Sequence, residues 1–165
     1  MSDTIKAPDR EELVELATGL APHHGYNPTA SPFVRILRSE AVLRDVPVLY
    51  KPGAVFVLQG SKRGSLEGEI FLYDEEHYLA VSVPVPFRME SDATPERPLL
   101  AVYIEFEMQV AAEIVLQIEQ HTDLKVQKPR GLASSKMAPD IADVLLRLLK
   151  ALHDPIASAV IGAGI

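Results

Sequence analysis

Pro47-Val48-Leu49-Tyr50-Lys51-Pro52, Gln59-Gly60-Ser61-Lys62-Arg63, Tyr73-Asp74-Glu75-Glu76-His77-Tyr78-Leu79, Val81-Ser82-Val83-Pro84-Val85-Pro86 and Pro95-Glu96-Arg97-Pro98 follow one another between Pro47 and Pro98. They carry Pro, Gly and acidic residues that separate short runs rich in Val, Ile, Leu, Phe and Tyr. That punctuation extends outward from Arg35 to Phe106 and predicts strands at Arg35 to Ser39, Val46 to Tyr50, Ala54 to Gln59, Lys62 to Leu66, Glu69 to Tyr73, Tyr78 to Val83, Phe87 to Ser91 and Leu99 to Phe106. Strands at this spacing point to an antiparallel barrel or sandwich. Glu67-Gly68 reads as a tight hairpin, because glycine accepts the positive φ such turns demand. Pro84 and Pro86 lack the N–H a central ladder requires, so they mark a strand end or a bend.

The flanks change period. Leu13, Leu16, Ala17 and Leu20 recur at helical spacing behind the acidic residues Asp9, Glu11, Glu12 and Glu15, which suit a helix N-terminus. After Phe106, Met108, Ala111, Ala112, Val115 and Ile118 predict a helix to about His121. A looser stretch follows through Lys128-Pro129-Arg130-Gly131, and Ser134-Ser135-Lys136 reads as a polar connection. Pro139 is placed to open a last helix in which Ile141, Val144, Leu145, Leu148, Leu149 and Leu152 form a wide apolar stripe. The tail from Ile156 to Ile165 stays apolar, as expected where a longer protein has been cut.

The chain has 165 residues, 47% of them hydrophobic, and a net charge of −7. That length fits one domain able to bury roughly two thirds of its unfolded surface. Cysteine is absent, which removes disulfides, thiolate nucleophiles and cysteine-ligated metals. The N-terminus has no signal-peptide core and no apolar run nears the roughly 20 residues of a membrane span. A cytoplasmic protein with no membrane partner is expected. The negative charge and the lack of a Lys/Arg cluster argue against direct phosphate contact by this segment.

In order and spacing, the five signatures, together with Pro32-Phe33-Val34-Arg35-Ile36-Leu37-Arg38-Ser39 and Leu99-Leu100-Ala101-Val102, resemble the N-terminal domain of AraC-type transcriptional regulators. The resemblance implies a mainly β fold with flanking helices: a cupin-like antiparallel β-barrel (double-stranded β-helix) followed by C-terminal helices. Residues 1–30 would form the N-terminal helix and lead-in, 31–106 the barrel, and 107–165 the C-terminal helices leading to a helix-turn-helix DNA-binding module outside this chain. It further implies a ligand-sensing and dimerisation domain with an unidentified small-molecule effector, a homodimer, and DNA contacted only through that module. A standalone cupin enzyme, isomerase or oxygenase, and a non-catalytic interaction module with a filled barrel are the alternatives.

Catalytic and metal signatures are missing. His23, His24, His77, His121 and His153 form no His-x-His pair, and only His77 falls among the strands, which argues against a barrel metal. Adjacent His23 and His24 read as solvated loop residues. There is no Gly-x-Ser-x-Gly elbow, and Gly60, Gly64 and Gly68 read as hairpin glycines, since no Lys-Ser or Lys-Thr follows. No catalytic residue, cofactor or metal is therefore assigned. Glu105 and Glu107 share a strand face with Tyr103 and read as a solvated outer face in preference to an acid-base pair, while Leu100, Val102, Ile104 and Phe106 form the apolar one, and the sequence leaves open which face points into the cavity.

A sensor needs apolar walls with sparse polar tips. The barrel residues able to supply them are Tyr50, Phe56, Gln59, Phe71, Tyr73, His77, Phe87, Met89 and Tyr103. All but Tyr73 make up the candidate ligand-binding set. His77 has two readings, a bond to turn backbone or a polar group facing the cavity. Ile141, Leu145, Leu148 and Leu152 are the candidate dimerisation residues, with half the stripe expected to pack on the barrel.

Overall fold

The computed structural model describes residues 6–107, 132–154 and 156. Helix α1 (Ala7–Leu20) is followed by β1 (Gly25–Pro28), β2 (Val34–Ser39), β3 (Leu43–Tyr50), β4 (Gly53–Gln59), β5 (Ser61–Leu66), β6 (Glu69–Asp74), β7 (His77–Val81), β8 (Val85–Asp92) and β9 (Leu99–Glu105). Strand β10 (Leu132–Lys136) and helix α2 (Pro139–His153) complete the described chain. The helix expected from Met108 to His121, the stretch through Gly131 and the tail beyond Ile156 lie outside the described residues.

All strands belong to one antiparallel sheet in the order β1-β2-β9-β4-β7-β6-β5-β8-β3, with β10 on β7. It curls into a half-barrel. The β5–β6 hairpin turns at Glu67 (φ 52) and Gly68 (φ 82), the two positive φ angles of the tight turn expected there. Pro84 falls just before β8. Pro86 lies within β8 opposite Leu49 of β3, and Pro47 sits in β3, the edge strand, where a missing N–H costs no ladder bond on the open side. A left-handed Asp45 (φ 49) accompanies the register shift between Leu43 and Val46, as at a bulge.

Two strands depart from the sequence reading. Ser134-Ser135-Lys136 is not a connection: it belongs to β10, which pairs with β7 from Leu132↔Val81 to Lys136↔His77. The free edge of β7 recruits it, and Ser134 Oγ donates to the Leu72 carbonyl. The lead-in after Pro22 also forms a strand, β1, held to β2 through Asn27, whose amide donates to His23 O (2.8 Å) and Ile36 O (3.4 Å) and accepts from His23 N–H (3.1 Å). His23 and His24 are exposed, as expected.

Alternation along the strands divides the core in two. On the outer face Val34, Ile36, Ala54, Phe56, Leu58, Leu100 and Val102 pack beneath the helices, against Leu13 and Ala17 of α1 and Ala142, Leu145, Leu149 and Leu152 of α2. His153 Nε2 donates to the Leu16 carbonyl at 2.8 Å, and Lys150 pairs with Glu12 at 3.2 Å, fixing the helices to each other. On the inner face Leu37, Tyr50, Val55, Val57, Phe71, Tyr73, Leu79, Val81, Phe87, Leu99, Ala101, Tyr103 and Leu132 form a second cluster inside the curl.

Candidate functional site

A lysine stands at the centre of that inner cluster. Lys62, second residue of β5, is 0% exposed, whereas the next residue, Arg63, faces outward and pairs with Glu90 (3.2 Å) and Asp92 (3.1 Å). Strand alternation alone separates the two cations: Lys62 and Gly64 point in, Arg63 and Ser65 out. Gly64 is required by its inner neighbour, because a side chain there would run into the Phe87 ring.

Lys62 Nζ donates to the Tyr103 hydroxyl at 2.6 Å and to the Tyr50 hydroxyl at 3.1 Å. The Tyr50 hydroxyl also meets those of Tyr73 (3.0 Å) and Tyr103 (3.2 Å). The amine therefore sits in a cage of three phenol rings, with their centroids 5.3 to 5.8 Å from Nζ. Phe87 packs edge-on to Tyr50 at 4.9 Å. Among the described residues no carboxylate pairs with Lys62. Burial, reinforced by the charge of Arg35, lowers its pKa from the ordinary lysine range to about 7. Burial pushes Tyr50, Tyr73 and Tyr103 the other way, well above 10, so all three stay neutral hydroxyls at physiological pH.

Arg35 is the second cation of the interior. On β2 it shares the inner face with Leu37, its guanidinium lying 4.2 Å from the Tyr26 ring centre and 5.3 Å from that of Tyr103. Its Nε is buried and has no hydrogen-bond partner. The same holds for Ser91 Oγ, on the residue that is Lys62's cross-strand partner on β8. A slit of about 20 Å³ opens at this end of the curl, lined by Arg35, Tyr50, Ala54, Val55, Val81 and Tyr103, with Lys51 and Glu105 on it as well. A larger cleft of about 460 Å³ lies elsewhere, where Arg10–Glu76 (3.7 Å) and Arg97–Glu75 (2.8 Å) ion pairs meet Ser61, Asp92 and Thr94.

Of the eight candidate ligand residues, the structure gathers Tyr50, Phe71, Phe87 and Tyr103 in the inner cluster, with Met89 buried on the inward side of β8. Phe56 faces the other way, under the helices, stacked on Tyr78 at 5.2 Å. Gln59 is held at the rim by a 2.8 Å bond from its amide to the Pro98 carbonyl. His77 Nδ1 meets Asp74 Oδ1 at 2.9 Å, beside the turn, and is half-buried. The Tyr103 face of β9 is not a solvated outer face: Tyr103 is buried in the curl and Glu105 is half-buried, because the opposite face is taken by the helices. Of the candidate dimerisation residues, Leu145 and Leu152 are buried within the chain's own core and Ile141 and Leu148 are partly covered by it. Val144 beside them is 64% exposed.

Seven chains of solved structures match this one. Among them is apo ToxT K231A from Vibrio cholerae strain SCE256, at 7% identity and a TM-score of 0.47, the match covering 84% of this chain and 52% of that one, about half its length. No curated protein matches. The model of the AraC-type transcriptional regulator N-terminus matches residues 30–165. That span takes in the half-barrel from β2 to β10, the Lys62 cage and α2, and the chain therefore belongs to the family of AraC-type transcriptional regulator N-termini.

Proposed function

We propose that this chain is the effector-sensing and dimerisation domain of a transcription regulator, with a small-molecule effector received inside the half-barrel at the Lys62 cage. The observation that carries the reading is Lys62 itself. A lysine removed from water without a carboxylate costs stability that an aliphatic residue would not, and such costs gather at functional sites. An effector that binds one arrangement of curl and helices better than another would pass that preference to a DNA-binding module, which other residues of the full protein supply. Self-association would place two such modules on one duplex, where the second contact becomes intramolecular. The exposed Val144 and the apolar groove of about 260 Å³ around Ile141, Leu145 and Leu148 leave part of α2 available for that pairing.

Light scattering across micromolar concentrations, with a low-salt gel shift, tests the reading. The expected result is a dimer that leaves DNA unshifted, in keeping with the net charge of −7. A strict monomer would contradict the dimerisation half, and tight, salt-sensitive DNA binding by residues 1–165 alone would contradict the division of labour.

A further inference from the structure

Resting on the reading of the curl as an effector site, we infer that its ligand is an organic anion, a carboxylate on a small apolar or aromatic body, whose head group is held between Lys62 Nζ and Arg35 Nε. Three features of the interior select that chemistry. Two cationic side chains reach it from β5 and β2, and no carboxylate pairs with either among the described residues. Arg35 Nε is an N–H donor shut away from water with nothing to donate to, on a residue that lines the slit. Every other polar tip in the cage is a neutral hydroxyl able to donate to an oxyanion: Tyr50, Tyr73 and Tyr103. A buried donor without an acceptor and a buried amine without a counter-charge are both relieved by one carboxylate, whereas a neutral ligand would relieve neither charge.

The walls set the rest of the ligand. Val55 and Val81 line the slit with Tyr50 and Tyr103, so the part of the ligand lying against them is apolar, and beside Arg35 the charged residues of the same slit are Lys51 and Glu105. At about 20 Å³ the slit holds about one water-sized group as it stands, so ligand entry requires the tyrosine rings to turn aside.

Binding is coupled to a proton. Lys62 gives up its proton near pH 7, and the carboxylate favours the ammonium form, so affinity is full below pH 7 and falls as pH rises above it. The groups facing Lys62 from the packed strands are Tyr50 of β3, Tyr73 of β6, Tyr103 of β9 and Arg35 of β2, with Lys51 and Glu105 also on the slit. The tyrosines remain protonated throughout this range, which leaves Lys62 as the group that sets the profile.

The test is isothermal titration of the chain with acetate, benzoate and 3-phenylpropionate, each against its uncharged amide, at pH 6 and pH 8. The expected result is that an aromatic acid binds, its amide does not, and the affinity at pH 8 is about tenfold weaker than at pH 6. Lys62→Met is expected to weaken binding by about tenfold or more, and Arg35→Met, which leaves the cage intact, to weaken it as well. An amide that binds as tightly as its acid, with both lost in Lys62→Met, would overturn the anionic class while leaving the effector site standing. Failure of every acid to bind at pH 6, or acid binding that Lys62→Met and Arg35→Met leave unchanged, would overturn the proposal at this site.

Discussion

The two faces of the sheet are built from the same strands and solve opposite problems. The outer face, covered by α1 and α2, is aliphatic apart from Phe56 and Tyr78, and buries Leu149, Ala17 and Ile36 completely. The inner face holds a lysine, three bonded phenols, an unpartnered arginine nitrogen and an unpartnered serine hydroxyl. An outer core of this kind is what stability alone demands, since each apolar side chain removed from water contributes roughly 1.5–3 kcal/mol. The inner core keeps groups whose burial costs free energy and whose chemistry is recognition. Apolar burial therefore stabilises both sides of a single layer of backbone, while the buried polar groups, to which the proposed binding is assigned, are gathered on the inner side.

Breaking the outer face should have the largest effect. Leu149→Ala empties a fully buried position between α2 and the sheet and is expected to cost about 2–5 kcal/mol in urea unfolding, equally at pH 6 and pH 9. A loss under about 1 kcal/mol would mean that the helices are not clamped to the sheet as described.

The inner face should respond with the opposite sign. Lys62→Met removes a buried amine of similar length and is expected to stabilise the chain by about 1–4 kcal/mol at pH 6. The folded chain gives up the Lys62 proton near pH 7, whereas the unfolded chain holds it to about 10.5. Between those values the unfolded state binds more protons, so wild-type stability rises with pH, with a slope approaching about 1.4 kcal/mol per pH unit. Above about pH 10 the tyrosines reverse the trend, because the unfolded phenols ionise while the folded ones stay protonated. Lys62→Met should lack the rise between pH 7 and 10. Parallel stability curves for the two proteins would contradict a buried lysine.

A finer probe separates packing from propensity where α1 meets α2. A methyl at Gly19 would lie 2.9 Å from His153 Cε1, at the end of a side chain that can turn aside only by loosening its bond to the Leu16 carbonyl. Gly19→Ala is expected to change stability by less than about 1 kcal/mol, the gain in helix propensity offsetting the strained bond from His153 to the Leu16 carbonyl. A loss above about 2 kcal/mol would show that the His153 bond holds the helix pair more strongly than a single exposed hydrogen bond does.

Much of this division could be read in the chain, and the limits of that reading have physical causes. All eight strands expected between Arg35 and Phe106 form, because their Pro, Gly and acidic breaks are local signals. Strands β1 and β10 had no such signal: Gly-Tyr-Asn-Pro and Leu-Ala-Ser-Ser-Lys are weak strand formers, held in place by edges distant in sequence. The face of Phe56 is not legible, because Ala54-Val55-Phe56-Val57-Leu58 is apolar at every position, as in any strand buried on both faces, and periodicity then cannot say which face a residue takes. Lys62 stands beside Arg63 with the same charge, and the one local signal that separates them is the alternation of Lys62, Gly64 and Leu66 against Arg63 and Ser65. Its burial depends on Tyr50, Tyr73 and Tyr103 arriving from three other strands, which no local pattern encodes.

The contrast between the two faces turns on the state of one amine, and a ¹³C NMR titration of lysine Cε resonances, with Lys62 assigned by its loss in Lys62→Met, measures it directly. The resonance missing in Lys62→Met is expected to titrate near pH 7, far below the ordinary lysine value of 10.5. A Lys62 resonance that titrates only near the ordinary lysine value of 10.5 would contradict the buried cage and with it the contrast between the two faces.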